Sequence, residues 1–263
     1  MGMKTPIKKY SINGVPKRML DFVGTFKVVL FWPQDMELVT DSPSLRRHYL
    51  DFVLMQVDRE YRRTLISYEK GLRQRNKLLE AIREGRAHRH QLIFWDQLLI
   101  KNGEYITKKR EEYIDFVNNF QNPNYQLIYD QSIISRVRLD QYSEEEIAAG
   151  VTLVGPHRDD IKFKVKSLKL KVNNEELRDL AHFGSRGELR LAVLWLKFGE
   201  LAYIEAQTGE KPVLLLDDIL SELDHEHRRI IFDLLDHQQT IITTTDKHLL
   251  PKLSRETNMI ELE

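Results

Sequence analysis

The stretch VLLLDD, Val213 to Asp218, followed by Ser221-Glu222-Leu223-Asp224, decides the fold. Four large aliphatic residues ending in two acids read as a buried parallel strand that delivers carboxylates to its C-terminal edge, where open α/β sheets place ligands. Carboxylates at such an edge hold Mg²⁺ against a nucleotide phosphate or polarise a water. The competing reading, helix-capping or core-edge acids, leaves two adjacent carboxylates behind an apolar strand with no compensating cation. Ser221 and Asp224 fall in the following turn, and Asp224 also suits a cap for the helix expected after it. Upstream, Gly184-Ser185-Arg186-Gly187-Glu188 opens a long apolar helix, with Ser185 and Glu188 spaced as a capping box. Standing alone, Ser185 would only satisfy orphan amides. Beside the acid pair, its hydroxyl, the free amides and the helix dipole form a second phosphate-facing element, with Gly184 and Gly187 permitting close approach.

The 263 residues suffice for one large or two small domains, at 41% hydrophobic and 30% charged. No apolar run approaches the ~18–20 residues that span a bilayer. Met1-Gly2-Met3-Lys4 lacks the apolar core of a signal peptide. Cysteine is absent, which excludes disulfides and thiolate metal sites and fits a cytoplasmic protein. Lys+Arg and Asp+Glu balance at 40 each, so affinity for nucleic acid would need a local patch.

Outward from the deciding stretch, the chain alternates in period. Lys8–Ile12 and Lys17–Leu20 flank Asn13-Gly14 and predict a hairpin, and Phe26–Phe31 a buried strand. Ser42-Pro43 predicts a helix start with Leu45, Tyr49, Phe52 and Val53 on one face. Leu65, Leu72 and Leu79 recur at seven, as do Tyr61, Tyr68 and Ile82, with Arg75 breaking that row. Leu92, Leu99, Ile106, Tyr113 and Phe120 form the next seam. Two such seams predict an antiparallel helix hairpin, either packed within a helical lobe or projecting as an arm.

Strands are expected at Tyr125–Tyr129 and Thr152–Val154, around a helix capped by Ser143 and Glu146. Ile161–Val172 alternates apolar residues with lysines, a solvated strand face or a phosphate-binding stripe, with its phase slipping near Ser167-Leu168. A helix from Ser185, strand Val213–Leu216, a helix from Asp224, strand Gln239–Thr243 and a short strand near Met259–Leu262 complete the reading. Residues 1–40 and 124–263 are expected to share one α/β lobe, with 41–123 as an inserted helical lobe. His225 and His227, two apart on a helix, do not share a face and read as exposed.

LVGPHRDD (Leu153–Asp160), FGSRGELRLAVLWLK (Phe183–Lys197), LLLDDILSELD (Leu214–Asp224) and QTIITTT (Gln239–Thr245) resemble successive blocks of the RecF family. These are recombination-mediator ATPases related to the ABC-type heads of SMC proteins. LFWPQDMELVTDSPSLRRHYLDF (Leu30–Phe52) is similar to the family block that enters the helical lobe, so the likeness runs in order over nearly the whole chain.

The resemblance implies an α/β, ABC-type ATPase head with an inserted helical lobe. It implies ATP and Mg²⁺ as ligands, dimerisation around ATP, and binding of single-stranded or gapped duplex DNA beside recombination mediator proteins while the recombinase is loaded. Ser185, Arg186 and Gly187 fall on the ABC signature, which contacts ATP held by the opposite protomer. Asp217 falls on the magnesium aspartate, Asp218 on the catalytic acid and Ser221 to Asp224 on the D-loop. Gln34 takes the Q-loop position, and Thr244 or Thr245 stands where ABC proteins carry a switch histidine, with His248 too far along. Glu188 replaces the usual glutamine of the signature. The Walker A string G-x-x-x-x-G-K-[ST] occurs nowhere in the 263 residues; Gly209-Glu210-Lys211 has the wrong order. The resemblance therefore implies an N-terminally truncated head, paired with itself or with a protomer that bears a P-loop. The alternative is a non-catalytic DNA- or protein-binding fragment.

Overall fold

A computed structural model describes residues 8–120, 124–166, 177–222, 225, 228, 229, 231, 232, 238–246, 248 and 258–261. Strands β1 (Tyr10–Ile12) and β2 (Val15–Lys17) form the expected hairpin, with Asn13 and Gly14 both at positive φ (50° and 78°), the geometry of a two-residue hairpin turn. The second strand begins earlier than the sequence suggests. Met19–Phe22 is a helical turn, α1, rather than strand, because the Arg62 guanidinium collects the carbonyls of Leu20 and Val23.

Strand β3 (Val28–Phe31) leads through a 3₁₀ turn at Pro33–Met36 and helix α2 (Glu37–Thr40) into α3 (Pro43–Val57). Pro43 opens α3 as expected, but the Ser42 hydroxyl lies 2.7 Å from that of Ser44 and caps nothing. Tyr49 and Val53 face the core, whereas Phe52 is exposed.

Helices α4 (Arg59–Arg83) and α5 (Ile93–Asn118) form the antiparallel hairpin, each nearly 40 Å long at about 1.5 Å per residue. Asp58 starts α4 by accepting from the amides of Glu60 (2.8 Å) and Tyr61 (2.9 Å). Leu65, Leu79, Leu99, Ile106 and Tyr113 are buried along the two seams. The pair does not project as an arm. Its tip is held by the Arg89–Glu144 ion pair at 2.6 Å, and Val117 of α5 packs on Gly199.

Arg75, where the heptad row breaks, is 2% exposed; its guanidinium binds Asp96 (2.8 Å), Glu146 (2.7 Å) and the Thr152 hydroxyl (2.9 Å). Arg110 is equally buried, donating to Asp51 (2.9 Å), Asp159 (3.0 Å), the Pro156 carbonyl (2.7 Å) and Tyr61 Oη (3.2 Å).

Strand β4 (Tyr125–Asp130) pairs antiparallel with β5 (Asp160–Lys166), which pairs with β6 (Leu177–Asp179). Between them lie α6 (Arg136–Gln141), absent from the sequence reading, and α7 (Ser143–Ala149). The expected capping box at Ser143 is not made, because Glu146 turns inward to Arg75 and the Leu153 amide (2.8 Å). Thr152–Val154 is not a strand. Side chains satisfy its backbone instead, Asn76 accepting from the Thr152 amide (2.9 Å). Of the lysine stripe, Lys162 is paired with Asp130 (2.8 Å) and Lys164 with Asp179 (2.9 Å), as suits a solvated strand face. The phase slip at Ser167-Leu168 lies outside the described residues.

The LVGPHRDD segment is a turn that interlocks three helices. Gly155 sits at φ 130°, and a Cβ there would approach Tyr68 Oη to 2.3 Å. His157 Nε2 lies 3.1 Å from the Thr152 carbonyl and Nδ1 2.8 Å from Tyr68 Oη. A carbonyl only accepts, so this geometry assigns the proton to Nε2 and leaves Nδ1 to accept from the tyrosine. Burial outweighs the Thr152 carbonyl and lowers the His157 pKa from 6.5 to about 4. The neutral ring's contribution is full above pH 6.5 and is lost as pH falls towards the folded value, a change on the order of 3 kcal/mol. His157→Asn is expected to flatten stability across that window, as measured by urea unfolding at successive pH values.

Helix α8 (Leu180–Phe183) precedes α9 (Arg186–Thr208), then β7 (Val213–Asp217), a 3₁₀ turn at Ile219–Glu222 and β8 (Thr240–Thr243). The second sheet is parallel, in the order β3-β7-β8, so distant parts of the chain share it. Leu214, Leu216, Val29 and Phe31 pack against Leu194, Leu201 and Ile204 of α9. His225, Arg228, Arg229, Ile231 and Phe232 are helical, in agreement with the helix expected after Asp224, which itself lies outside the described residues. His225 is exposed; His227 is not described. Residues 258–261 are not in a strand, against expectation.

Candidate nucleotide site at the sheet edge

The β7 run ends as the apolar pattern requires, with Asp217 exposed and Asp218 half-buried at the C-terminal edge of the parallel sheet. Asp217 is level with Thr243 of β8, whose hydroxyl donates to Asp217 Oδ1 at 2.5 Å. Asp218 adopts φ 49°, in the left-handed region that non-glycine residues seldom occupy. Its amide donates to the Thr243 carbonyl (3.1 Å), and its buried Oδ1 has no hydrogen-bond partner among the described residues. Threonine thus meets the acids, but it is Thr243; the Thr244 hydroxyl turns to the Asp246 carbonyl at 3.2 Å. His248, exposed, donates its amide to Asp246 at 2.8 Å. Ser221 follows in the 3₁₀ turn, its hydroxyl donating to the Asp218 carbonyl at 2.8 Å.

Ser185 is the N-cap of α9. Its Oγ accepts from the Glu188 amide (3.3 Å), and its amide donates to Glu188 Oε2 (2.8 Å), completing the capping box. Hydrogen bonding from the Ser185 amide, followed by the Ser185 hydroxyl and Arg178, holds the Glu188 carboxyl below its usual range. The Glu188 carboxylate is therefore turned back into the helix start and countered by a guanidinium. Ser185, Arg186 and Gly187 are exposed. The two glycines differ: a Cβ on Gly184 would strike the Leu180 carbonyl at 2.6 Å, whereas one on Gly187 meets nothing within 4 Å. Gly184 serves packing, and only Gly187 leaves the outer face open.

These elements meet at a cleft of about 380 Å³. Trp32, Pro33, Asp35 and Met36 line one wall, Arg186, Leu189, Arg190 and Val193 of α9 another, and Ile219, next to the acid pair, completes it. Gln34 is exposed on the Pro33–Met36 turn, flanked on both sides by lining residues.

Beneath the cleft lies a polar cluster that the sequence reading missed, having taken α9 as apolar nearly all round. Lys197 is paired with Asp35 (3.2 Å) and Glu200 (3.4 Å) and lies over the Tyr49 ring, whose hydroxyl is 2.5 Å from that of Tyr113. Burial pushes the carboxyls of both Asp35 and Glu200 up. The one sequence signal was Lys197 and Glu200 at i, i+3 inside an otherwise apolar helix.

An acid pair at a parallel sheet's C-terminal edge and an open, serine-capped helix start, set on either side of one cleft, define an α/β head with a candidate nucleotide site. No protein-family model matches the chain. DNA replication and repair proteins RecF from Herpetosiphon aurantiacus, Roseiflexus castenholzii and Moorella thermoacetica are 38%, 39% and 36% identical to it, over 92%, 93% and 97% of its length. Those alignments cover 66%, 67% and 70% of the relatives, so the chain spans about two thirds of their length. The solved structure of the recombination mediator protein RecF with ATP, in the RecFOR pathway, superimposes with a TM-score of 0.79 at 31% identity, over 91% of this chain and 68% of that one. The chain belongs to the RecF family.

Proposed function

We propose that this chain is the signature-bearing part of a RecF-type recombination mediator. Two heads close around ATP, and the closed pair holds single-stranded or gapped duplex DNA where recombinase is loaded, alongside other mediator proteins. Ser185, Arg186 and Gly187 face the γ-phosphate of ATP carried by the opposite protomer. Asp217 holds Mg²⁺ and Asp218 orients the attacking water, with Ser221 and Asp224 at the dimer interface and Gln34 at the cleft rim.

The observation that carries this reading is the acid pair at the sheet edge, with one buried Asp218 oxygen unpartnered among the described residues. Hard carboxylate oxygens suit Mg²⁺, which characteristically takes one or two of them and completes its shell with phosphate and water. Bound there, Mg²⁺ would neutralise phosphate charge.

No P-loop string occurs in these 263 residues, and tight autonomous ATP binding is not expected of them. The signature completes a site in trans on a protomer that has a P-loop. The test is to titrate the chain into a P-loop-bearing RecF relative and follow ATP affinity and hydrolysis. Tighter binding or faster turnover is expected; a mixture no better than the relative alone would overturn the reading.

A further inference from the structure

Helix α4 presents one row of side chains to solvent along most of its length. Arg59, Arg63, Ile66, Lys70, Arg73 and Lys77 follow at alternating intervals of four and three, the spacing that aligns side chains on one helix face. All but Ile66 are exposed cations; of the acids nearby, Glu60 and Glu69 stand off the row, and exposed Glu80, three residues past Lys77, ends it. The row extends about 27 Å, with Arg63, Lys70 and Lys77 about 10 Å apart. The whole chain is neutral, so this concentration is local. The outer row of α5 (Gln97, Lys101, Glu104, Lys108, Glu111) mixes signs and has no such bias.

The fold gains little from the row. Arg59 reaches Asp21 (2.7 Å) and Arg63 reaches Glu60 (3.7 Å), yet both remain more than half exposed, at 59% and 54%. Lys70, Arg73 and Lys77 make no ion pair or hydrogen bond among the described residues. Like charges three and four apart, as in Lys70–Arg73 and Arg73–Lys77, cost a helix about 0.2–0.5 kcal/mol a pair. An arrangement that costs stability and faces outward is explained by an external anion.

We infer that this row contacts the phosphate backbone of duplex DNA, an assignment that rests on the DNA-binding reading above and locates it on the molecule. Single-strand binders interleave cations with aromatic stacking platforms, and no aromatic residue occurs in the row. Membrane-surface helices set an apolar face beside their cations. The apolar face of α4, with Tyr61, Leu65, Tyr68 and Leu79, is committed to the core. The lysines of β5 are poorer candidates, since Lys162 and Lys164 already hold aspartates.

The experiment is a salt series of fluorescence-anisotropy titrations of the full chain with a labelled duplex. Lys70→Gln/Arg73→Gln/Lys77→Gln is expected to reduce the slope of log affinity against log salt by about 2–3, and Lys70→Gln or Lys77→Gln alone by about 1. The single variants keep the test valid if the triple variant folds poorly. Lys162→Gln/Lys164→Gln should leave the slope near that of the unaltered chain. Duplex binding with a slope that the row variants do not change would overturn the row and leave the DNA reading standing. Failure of the unaltered chain to bind any DNA would overturn the reading and the row with it. Binding to phosphatidylserine vesicles or polyglutamate as tight as to duplex would overturn the nucleic-acid assignment.

Discussion

Arg110→Met is expected to destabilise the protein by about 3–5 kcal/mol, because it leaves buried carboxylates without their cation. The guanidinium joins α5 to Asp51 of α3 and to Asp159 and the Pro156 carbonyl of the interlocking turn. Methionine fills much of the same volume, so the loss measures uncompensated charge more than a cavity. Urea unfolding of Arg110→Met alone and combined with Asp51→Asn and Asp159→Asn separates the two. Recovery of part of the stability in the combined variant is the expected result, and equal loss in both would assign the effect to packing.

Gly187→Glu is expected to abolish stimulation of a P-loop-bearing partner, by about 10²-fold in turnover, while the chain itself folds unimpaired. A side chain at this position meets open space, so the monomer has no reason to resist it. In the proposed closed dimer the same carboxylate would stand against a phosphate, at a helix start whose amides and dipole otherwise favour an anion. Removal of one donor from an anion-stabilising site typically costs 10²–10³ in rate, about 3–4 kcal/mol. Gly187→Ala is the companion variant: it favours the helix by about 0.5–1 kcal/mol and isolates the steric part of the effect. Thermal unfolding and ATP turnover in the mixture are the two readouts. Full stimulation by Gly187→Glu would remove the signature from the site.

What could be read from the sequence was whatever has a local cause. The apolar β7 run, the capping box at Ser185 and the Asn13-Gly14 turn are each specified within a few residues, and all formed as expected. Several of the readings that failed were those in which a distant side chain overrode the local rule. Glu146 has the spacing of a capping partner but is claimed by Arg75 on another helix. Thr152–Val154 has strand composition, yet Asn76 and Glu146 take its amides. Arg75 looks like a flaw in a heptad because its three partners come from elsewhere in the chain. At the site, the positions of the acids and of the helix start were legible. The buried Lys197 cluster and the clamping role of Thr243 depend on register between elements far apart in sequence, which periodicity does not encode.

Lys197 also bears on whether the cleft can change width. It fastens the Pro33–Met36 turn to α9 through Asp35, deep in the protein, and pulling those walls apart would strand a charge in a dry interior. The two walls therefore travel as one rigid body. The third side belongs to the same block, because β3, which enters that turn, is laddered to β7, and β7 packs on α9. The cleft is a fixed mould, and whatever enters it must match its width.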